Sequence, residues 1–122
     1  MNTRQIGKSG EELAAAYLES KGYAILRANY VFDHCEIDLI AQDQDTLVFV
    51  EVKRRKNALP RLSVDRRKQQ RICRAALGYA QTQGKLQCPM RFDVVEVFDE
   101  GGQMRLHHIP YAFDFIKGGY FA

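Results

Sequence analysis

One segment constrains the fold of this chain more than any other: Leu47 to Lys53, which reads Leu-Val-Phe-Val-Glu-Val-Lys. Its β-branched and aromatic residues are typical of a buried strand. Because side chains alternate along a strand, Glu51 and Lys53 lie on one face and the three valines on the other. The segment therefore predicts a core strand that ends in an acid and a lysine at the rim of a sheet.

The surrounding segments predict an α/β fold. Ser9 to Ser20 has helical periodicity, and Ser9 with Glu12 has the spacing of a capping box. Strands are predicted at 23–32 and 35–41, and a polar turn at 42–45 joins them to the strand at 47–53 as an antiparallel meander. A second helix is predicted from Val64 to about Gly84, then strands at 92–98 and 104–109 with a hairpin turn at 100–102. This order predicts one domain, residues 1–122, with a central mixed sheet flanked by helices.

The strand at 35–41 offers further carboxylates. Alternation places Glu36 and Asp38 on one face, and it places Ile37 and Leu39 on the other. Asp38 would then lie beside Glu51, and two such carboxylates repel each other unless a cation is present. Their hard oxygen ligands suit Mg²⁺ or Mn²⁺, and a lysine beside the metal can orient an attacking water. The alternative is an ion pair at a solvated strand end, with Glu36 an ordinary surface charge.

Each predicted helix carries one charged residue on its apolar side. Glu11 lies on the stripe with Ala14 and Leu18, where a carboxylate is costly unless it is paired or binds a cation. The alternative for Glu11 is stabilisation by the helix dipole in the first turn. Lys68 lies one turn from Ile72, so it either extends harmlessly to solvent or reaches a phosphate at the site.

Basic charge is concentrated between Arg54 and Arg74, where Asp65 is the only acid. The nine basic residues are Arg54, Arg55, Lys56, Arg61, Arg66, Arg67, Lys68, Arg71 and Arg74. Such a segment is typical of a nucleic-acid-binding surface, and the predicted contacts are Arg54, Arg55, Arg66, Arg67, Lys68 and Arg71. The alternative is a solvated helix face.

The composition excludes several other classes. No apolar run approaches the roughly 18 residues of a membrane span, and the polar N-terminus does not resemble a signal peptide. Three cysteines with no CxxC pair predict reduced thiols in a cytosolic protein. No phosphate-binding G-x-x-x-x-G-K-[ST] motif is present. The aromatic residues near the C-terminus predict either core packing or a homodimer contact.

Several of these residues form a pattern that resembles a known family. The pattern comprises Gly10-Glu11, Gly22-Tyr23, Glu36-Ile-Asp38-Leu-Ile, Phe49-Val-Glu51-Val-Lys53-Arg54, Lys68 and Arg91-Phe-Asp-Val-Val. From about Gly7 to its end, the chain resembles the uncharacterised bacterial YraN-like family. That family resembles archaeal Holliday junction resolvases and the wider PD-(D/E)XK restriction-endonuclease-like superfamily.

The resemblance implies a restriction-endonuclease-like core and a role for each matching residue. Asp38 and Glu51 would hold Mg²⁺ or Mn²⁺, with the Val52 carbonyl as a third ligand. Lys53 would position the nucleophilic water, and Glu11 would fill the acid position that resolvases carry on their first helix, as a further ligand of the metal. The implied activity is phosphodiester hydrolysis by an endonuclease acting on DNA, including branched or flapped DNA.

Two functions therefore follow from the sequence. The first is the metal-dependent endonuclease, with DNA favoured over RNA as its partner. The second is a non-catalytic nucleic-acid-binding module on a nuclease scaffold, recruited through the basic segment. Retention of the acids favours the enzyme, because a pure binder would gain from losing carboxylates that repel phosphate.

Overall fold

The computed structural model describes residues 9–55 and 65–114, which form a five-stranded sheet with a helix on each face. The helices are α1 (Gly10–Ser20) and α2 (Arg66–Thr82). The strands are β1 (Ala24–Phe32), β2 (Cys35–Asp43), β3 (Thr46–Arg55), β4 (Met90–Glu100) and β5 (Gln103–Phe113). They lie side by side in chain order, and β3 and β4 are the parallel pair, connected across the sheet by α2.

This architecture confirms the predicted α/β fold, with β1 to β3 as the antiparallel meander, and it is consistent with a restriction-endonuclease-like core. The strands are longer than predicted at several ends. The turn between β2 and β3 contains only Gln44 and Asp45, because Gln44 adopts a left-handed φ of 57° that reverses the chain at once. Among the described residues, no helix is long and apolar enough to cross a membrane.

Local signals explain where the two helices begin. Ser9 Oγ accepts from the Glu12 amide at 3.1 Å, and Glu12 Oε1 accepts from the Ser9 amide at 3.1 Å, which confirms the predicted capping box. Asp65 caps α2 by accepting from the Lys68 amide at 2.8 Å. The cap fixes Arg66 as the first residue of α2; Val64, where this helix was predicted to start, lies outside the described residues.

Two apolar clusters hold the helices against the sheet. On one face, α1 packs through residues such as Leu13 and Leu18 against the valines of β3 and β4. On the other face, α2 packs through residues such as Ile72 and Tyr79 against Phe49 and neighbouring side chains. Full burial of one such aliphatic or phenyl side chain contributes roughly 1.5–3 kcal/mol. The sheet is thus buried on both faces, and polar side chains inside it need partners.

The first two strands exchange faces together near their middle. Ile37 packs in the α2 cluster, whereas Leu39 packs in the α1 cluster. The prediction that Ile37 and Leu39 share a face is therefore wrong. The partner strand is distorted at the same level, where Asn29 adopts a left-handed φ of 52°. Regular alternation therefore fails at one level of both strands, and Asp38 lies at the exchange point of β2.

Both edge strands are irregular. In β1 the pairing register shifts between Ile25 and Arg27, which leaves one extra residue in that strand. In β5 the register shifts opposite Phe92 and Val94, at the level of Pro110 and Tyr111. Tyr111 has a φ of 53°, and its amide donates to Asp93 Oδ1 at 3.1 Å instead of to a strand.

Candidate functional site

Glu51 is a buried carboxylate at the end of the apolar part of β3. It lies on the α2 face of the sheet, as strand alternation from Phe49 predicts, and is only 2% exposed. Its Oε2 accepts from Lys68 Nζ at 3.1 Å. Its Oε1 is buried and has no hydrogen-bond partner within the described part of the chain. Burial, and then the negative charge of Asp38, raise the pKa of Glu51 to about 7, against the opposing effect of Lys68.

Asp38 lies beside Glu51, where β2 and β3 separate. The regular pairing of these strands is traced from Asp43 and Thr46 to Leu39 and Val50, so Asp38 lies just beyond it. Its Oδ2 accepts from the Val52 amide at 2.8 Å, which fixes the carboxylate between the two strands. Burial raises the pKa of Asp38, the Val52 amide lowers it, and the charge of Glu11 raises it, with a net upward shift.

Asp38 lies within electrostatic range of both helices. The Asp38 carboxylate interacts electrostatically with Glu11 on α1 and with Lys68 on α2, although these helices lie on opposite faces of the sheet. Asp38 follows directly on the Leu39–Val50 pair, so it lies beside Glu51 and lines the cavity on the α2 face with Lys68.

Lys53 and Val52 continue β3 beyond Glu51. Both are half-buried, and the positive charge of Lys53 lowers the pKa of Glu51, so its ammonium acts on that carboxylate. Val52 packs its side chain in the α1 cluster and gives its amide to Asp38. The predicted metal ligation by the Val52 carbonyl stays a prediction.

Glu11 occupies the first turn of α1 and is half-buried, in keeping with its predicted place on the apolar stripe. It lines a cavity of about 290 Å³ between α1 and the first two strands, which also includes Asn29 and Leu39. The structure connects Glu11 to the site through the charge that it exerts on Asp38. It does not bring Glu11 into the cavity that Asp38 shares with Lys68.

That second cavity is the entrance to the site on the α2 face. It has a volume of about 250 Å³ and is lined by His34, Cys35, Glu36, Asp38, Lys68 and Arg71. Acidic groups from β2 form one wall and basic groups from α2 form the other. Burial, and then the charge of Glu51, raise the pKa of the Cys35 thiol and so favour its neutral form. The cavity thus combines cationic and anionic groups, as a site for a metal and a phosphate would.

The basic segment divides into paired and exposed residues. Arg55 pairs with the buried Glu96, and Arg74 pairs with Asp33 at 2.9 Å. Lys68 pairs with Glu51, so it does not simply extend to solvent. Arg74 is also exposed, and the exposed members outside these pairs are Arg54, Arg66, Arg67 and Arg71. Lys56 and Arg61 lie outside the described residues.

The start of α2 concentrates positive charge. Its first turn carries Arg66, Arg67 and Lys68, and none of its described residues there is acidic. Cations near a helix N-terminus are unfavourable, because backbone amides already make that end positive. The acidic cap Asp65 and the ion pair of Lys68 with Glu51 offset part of this charge.

Two buried acids in β4 were missed in the sequence. Asp93 and Glu96 are fully buried, and each contacts a different histidine. Glu96 Oε1 lies 3.2 Å from His107 Nδ1, and Asp93 Oδ2 lies 2.7 Å from His108 Nε2. The two histidines therefore serve separate acids, in agreement with the alternation of β5. The sequence did contain a signal for their burial, because Asp93 and Glu96 stand inside the otherwise apolar run 92–98, and acids in such a strand must be paired.

The donor set fits a hard divalent cation. Within residues 9–55 and 65–114, no three His, Cys, Asp or Glu side chains lie close enough together to hold one metal ion. Asp38 and Glu51 therefore form a pair, to which Glu11 does not add a third ligand. Mg²⁺ commonly binds through one or two carboxylates together with waters and substrate phosphates. The unpartnered Oε1 of Glu51 is the atom that such an ion would satisfy.

Comparison with known proteins identifies the family. The profile of the uncharacterised protein family UPF0102 matches residues 10–97. A UPF0102 protein of Syntrophus aciditrophicus is 47% identical over 115 residues, covering 92% of this chain and 91% of the relative. A UPF0102 protein of Chlorobium chlorochromatii is 50% identical over 99 residues, covering 79% and 76% respectively. A third, from Bacteroides thetaiotaomicron, is 42% identical over 112 residues, covering 89% and 92%. The chain therefore belongs to UPF0102, the YraN-like family that its motifs resemble.

Proposed function

We propose that this protein is a divalent-metal-dependent endonuclease that hydrolyses phosphodiester bonds in DNA, with Mg²⁺ or Mn²⁺ as its cofactor. The observation that carries the proposal is the buried Oε1 of Glu51, which has no partner within the described residues and lies next to Asp38. A buried carboxylate oxygen without a partner is costly to the fold. A cation bound between the two acids would offset that cost.

An ordinary structural ion pair is a weaker explanation of the site. Lys68 satisfies only one oxygen of Glu51, and its side chain is 42% exposed, whereas that of Glu51 is 3% exposed. Asp38 adds a second negative charge that raises the pKa of Glu51. A pair selected for stability would not place two acids beside one half-exposed lysine.

Each residue has a role in the proposed reaction. Asp38 and Glu51 would hold the metal, with the Val52 carbonyl as a third ligand. The bound ion would supply Lewis acidity for a phosphate oxygen and lower the pKa of a bound water. Lys53 would orient that water and stabilise the charge that develops on the phosphate. Glu11 would act on the same centre through its charge on Asp38.

Exposed arginines would hold the DNA backbone next to these acids. Arg66 and Arg67 lie in the first turn of α2, and Arg71 lines the site cavity one turn later. Branched or flapped DNA is the substrate class that the resemblance to resolvases implies. A cytosolic location belongs to the same proposal and agrees with the free thiols Cys35, Cys73 and Cys88.

The direct test incubates purified protein with Mg²⁺ or Mn²⁺ and a panel of branched, flapped, duplex and single-stranded DNAs, with matching RNAs. Cleavage that requires the metal and favours DNA supports the proposal. Failure to cut any member under either ion argues against catalysis. It would leave the second candidate, a non-catalytic binding module, which the exposed arginines favour by themselves.

The arginine surface gives a separate prediction. Changing Arg66, Arg67 and Arg71 together to Gln should weaken DNA binding and reduce its salt dependence. Each lost phosphate contact should remove about one unit from the slope of log K against log salt. Fluorescence anisotropy at several salt concentrations measures both quantities.

A matched control removes the same charge elsewhere. Lys21, Arg27 and Arg105 are exposed basic residues outside the basic segment, and their joint change to Gln should have a much smaller effect. If the two triple variants lose affinity and slope equally, only net charge matters and the proposed surface is wrong.

A further inference from the structure

We propose that Lys68 is a substrate-responsive gate on the metal site, so that metal and nucleic acid bind cooperatively. In the gated state its ammonium is held by Glu51. In the open state a phosphate of the bound nucleic acid draws the ammonium away and frees the carboxylate for the cation. The inference rests on the proposed function and adds to it how the site is controlled.

The two partners of the ion pair differ in freedom. Glu51 is anchored in β3 with its side chain 3% exposed, whereas the side chain of Lys68 is 42% exposed at the cavity mouth. A lysine has a flexible four-carbon stem, so Lys68 can move while Glu51 cannot. The lysine is therefore the partner that leaves.

Lys68 and a divalent cation compete for one group. Both are attracted by Glu51, and an ammonium 3.1 Å from Oε2 repels any second cation that approaches. Asp38, which would share the metal, also interacts electrostatically with Lys68. As long as Lys68 stays in place, a metal that binds the free Oε1 of Glu51 must overcome this repulsion.

A phosphate could bind both the Lys68 ammonium and the divalent metal ion. Lys68 lies in the first turn of α2 beside exposed Arg66 and Arg67, and it shares the cavity wall with Arg71. A phosphate bound there would offer the ammonium a second anion within the same cavity. The described residues give the metal only two carboxylates, so a phosphate oxygen would also complete its ligands. A single phosphate would thus both draw Lys68 away from Glu51 and supply a further oxygen ligand to the metal.

Linkage makes the proposal measurable. If a short DNA duplex tightens Mn²⁺ binding, Mn²⁺ must tighten duplex binding by the same factor. We expect a factor of about ten in the unaltered protein, within the usual range of such couplings. Free Mn²⁺ is measured by its electron paramagnetic resonance signal, and duplex binding by anisotropy, with a gel to check that the duplex stays intact.

The decisive variant is Lys68→Met. Without DNA it should bind Mn²⁺ several-fold more tightly than the unaltered protein, and the coupling factor should fall to near one. Lys68→Arg keeps a cation at the same place and should retain coupling. Arg74→Met is the matched control. Arg74 lies on the same helix as Lys68, but it pairs with Asp33 and not with Glu51, so this variant removes a charge that does not touch the metal site. Its Mn²⁺ affinity and coupling should equal those of the unaltered protein.

Failure of the gate and failure of the proposed function give different results. If Mn²⁺ binds in a manner that Glu51→Gln abolishes, but Lys68→Met changes neither affinity nor coupling, the gate is wrong and the metal site stands. If Mn²⁺ binds neither the unaltered protein nor Lys68→Met in a Glu51-dependent way, both ideas are wrong. Thermal melts of every variant establish that the fold is retained.

Discussion

Replacement of Asp38 by Asn, or of Glu51 by Gln, is expected to reduce metal-dependent DNA cleavage at least about 100-fold. Each change keeps the size of the side chain and removes the charge that would hold the cation. Binding of DNA without metal should be preserved or tightened, because these carboxylates repel phosphate. Cleavage rates under saturating Mn²⁺ and anisotropy without metal measure the two effects separately.

Two further variants sharpen this test. Lys53→Ala should still bind Mn²⁺ but lose turnover, because its proposed role concerns the water and the phosphate. Asp45→Asn makes the same chemical change in the exposed turn between β2 and β3 and should leave cleavage unaltered. If Asp38→Asn cuts as fast as Asp45→Asn, Asp38 is not a metal ligand.

The same Glu51→Gln change is expected to stabilise the fold at alkaline pH. In the folded protein the pKa of Glu51 is about 7, above its ordinary value of 4.5. The folded state therefore favours the protonated form of Glu51. The contribution of this preference to the free energy of unfolding is complete below about pH 4.5 and is lost as the pH rises through 7. Gln mimics the neutral acid at every pH. The gain should approach roughly 2–3 kcal/mol at pH 8.

Urea unfolding from pH 4.5 to 8 measures the free energy of unfolding of Glu51→Gln and of the unaltered protein. The difference between the two should be near zero at the acidic end and grow with pH. Saturating Mn²⁺ should raise the stability of the unaltered protein and leave the Gln variant unchanged. Glu19→Gln changes an exposed acid on α1 and should stay within about 0.5 kcal/mol throughout. A pH-independent effect of Glu51→Gln would contradict the assigned pKa.

Sequence alone could predict what depends on local periodicity. The continuous apolar run at the start of 47–53 predicted β3 as a strand buried on both faces. The placement of Glu51 opposite the valines followed because successive side chains of a strand point to opposite faces. The Ser9–Glu12 cap fixed the start of α1 for an equally local reason. The fold order followed from these elements and short connections.

Relations across the sheet could not be predicted in this way. The face exchange at Asp38 coincides with a left-handed Asn29 in the partner strand, and no periodic pattern in the sequence predicts either feature. The contact between Lys68 and Glu51 depends on how α2 lies over the sheet. The partner of Glu96 could be predicted only from the pairing of β4 with β5, which brings His107 opposite it. Each is a packing relation between distant parts of the chain.

The irregular edge strands govern how the protein meets copies of itself. A regular exposed edge presents a row of backbone donors and acceptors with which any second chain can pair, and this leads to fibrils. Here one edge is broken by the extra residue of β1 and by Asn29, and the other by Pro110 and by Tyr111, whose amide turns inward. Neither edge, as described, presents an unbroken row of backbone donors and acceptors. Strand pairing between copies of this protein along either described edge would therefore be interrupted at these residues, which disfavours fibril growth by that route.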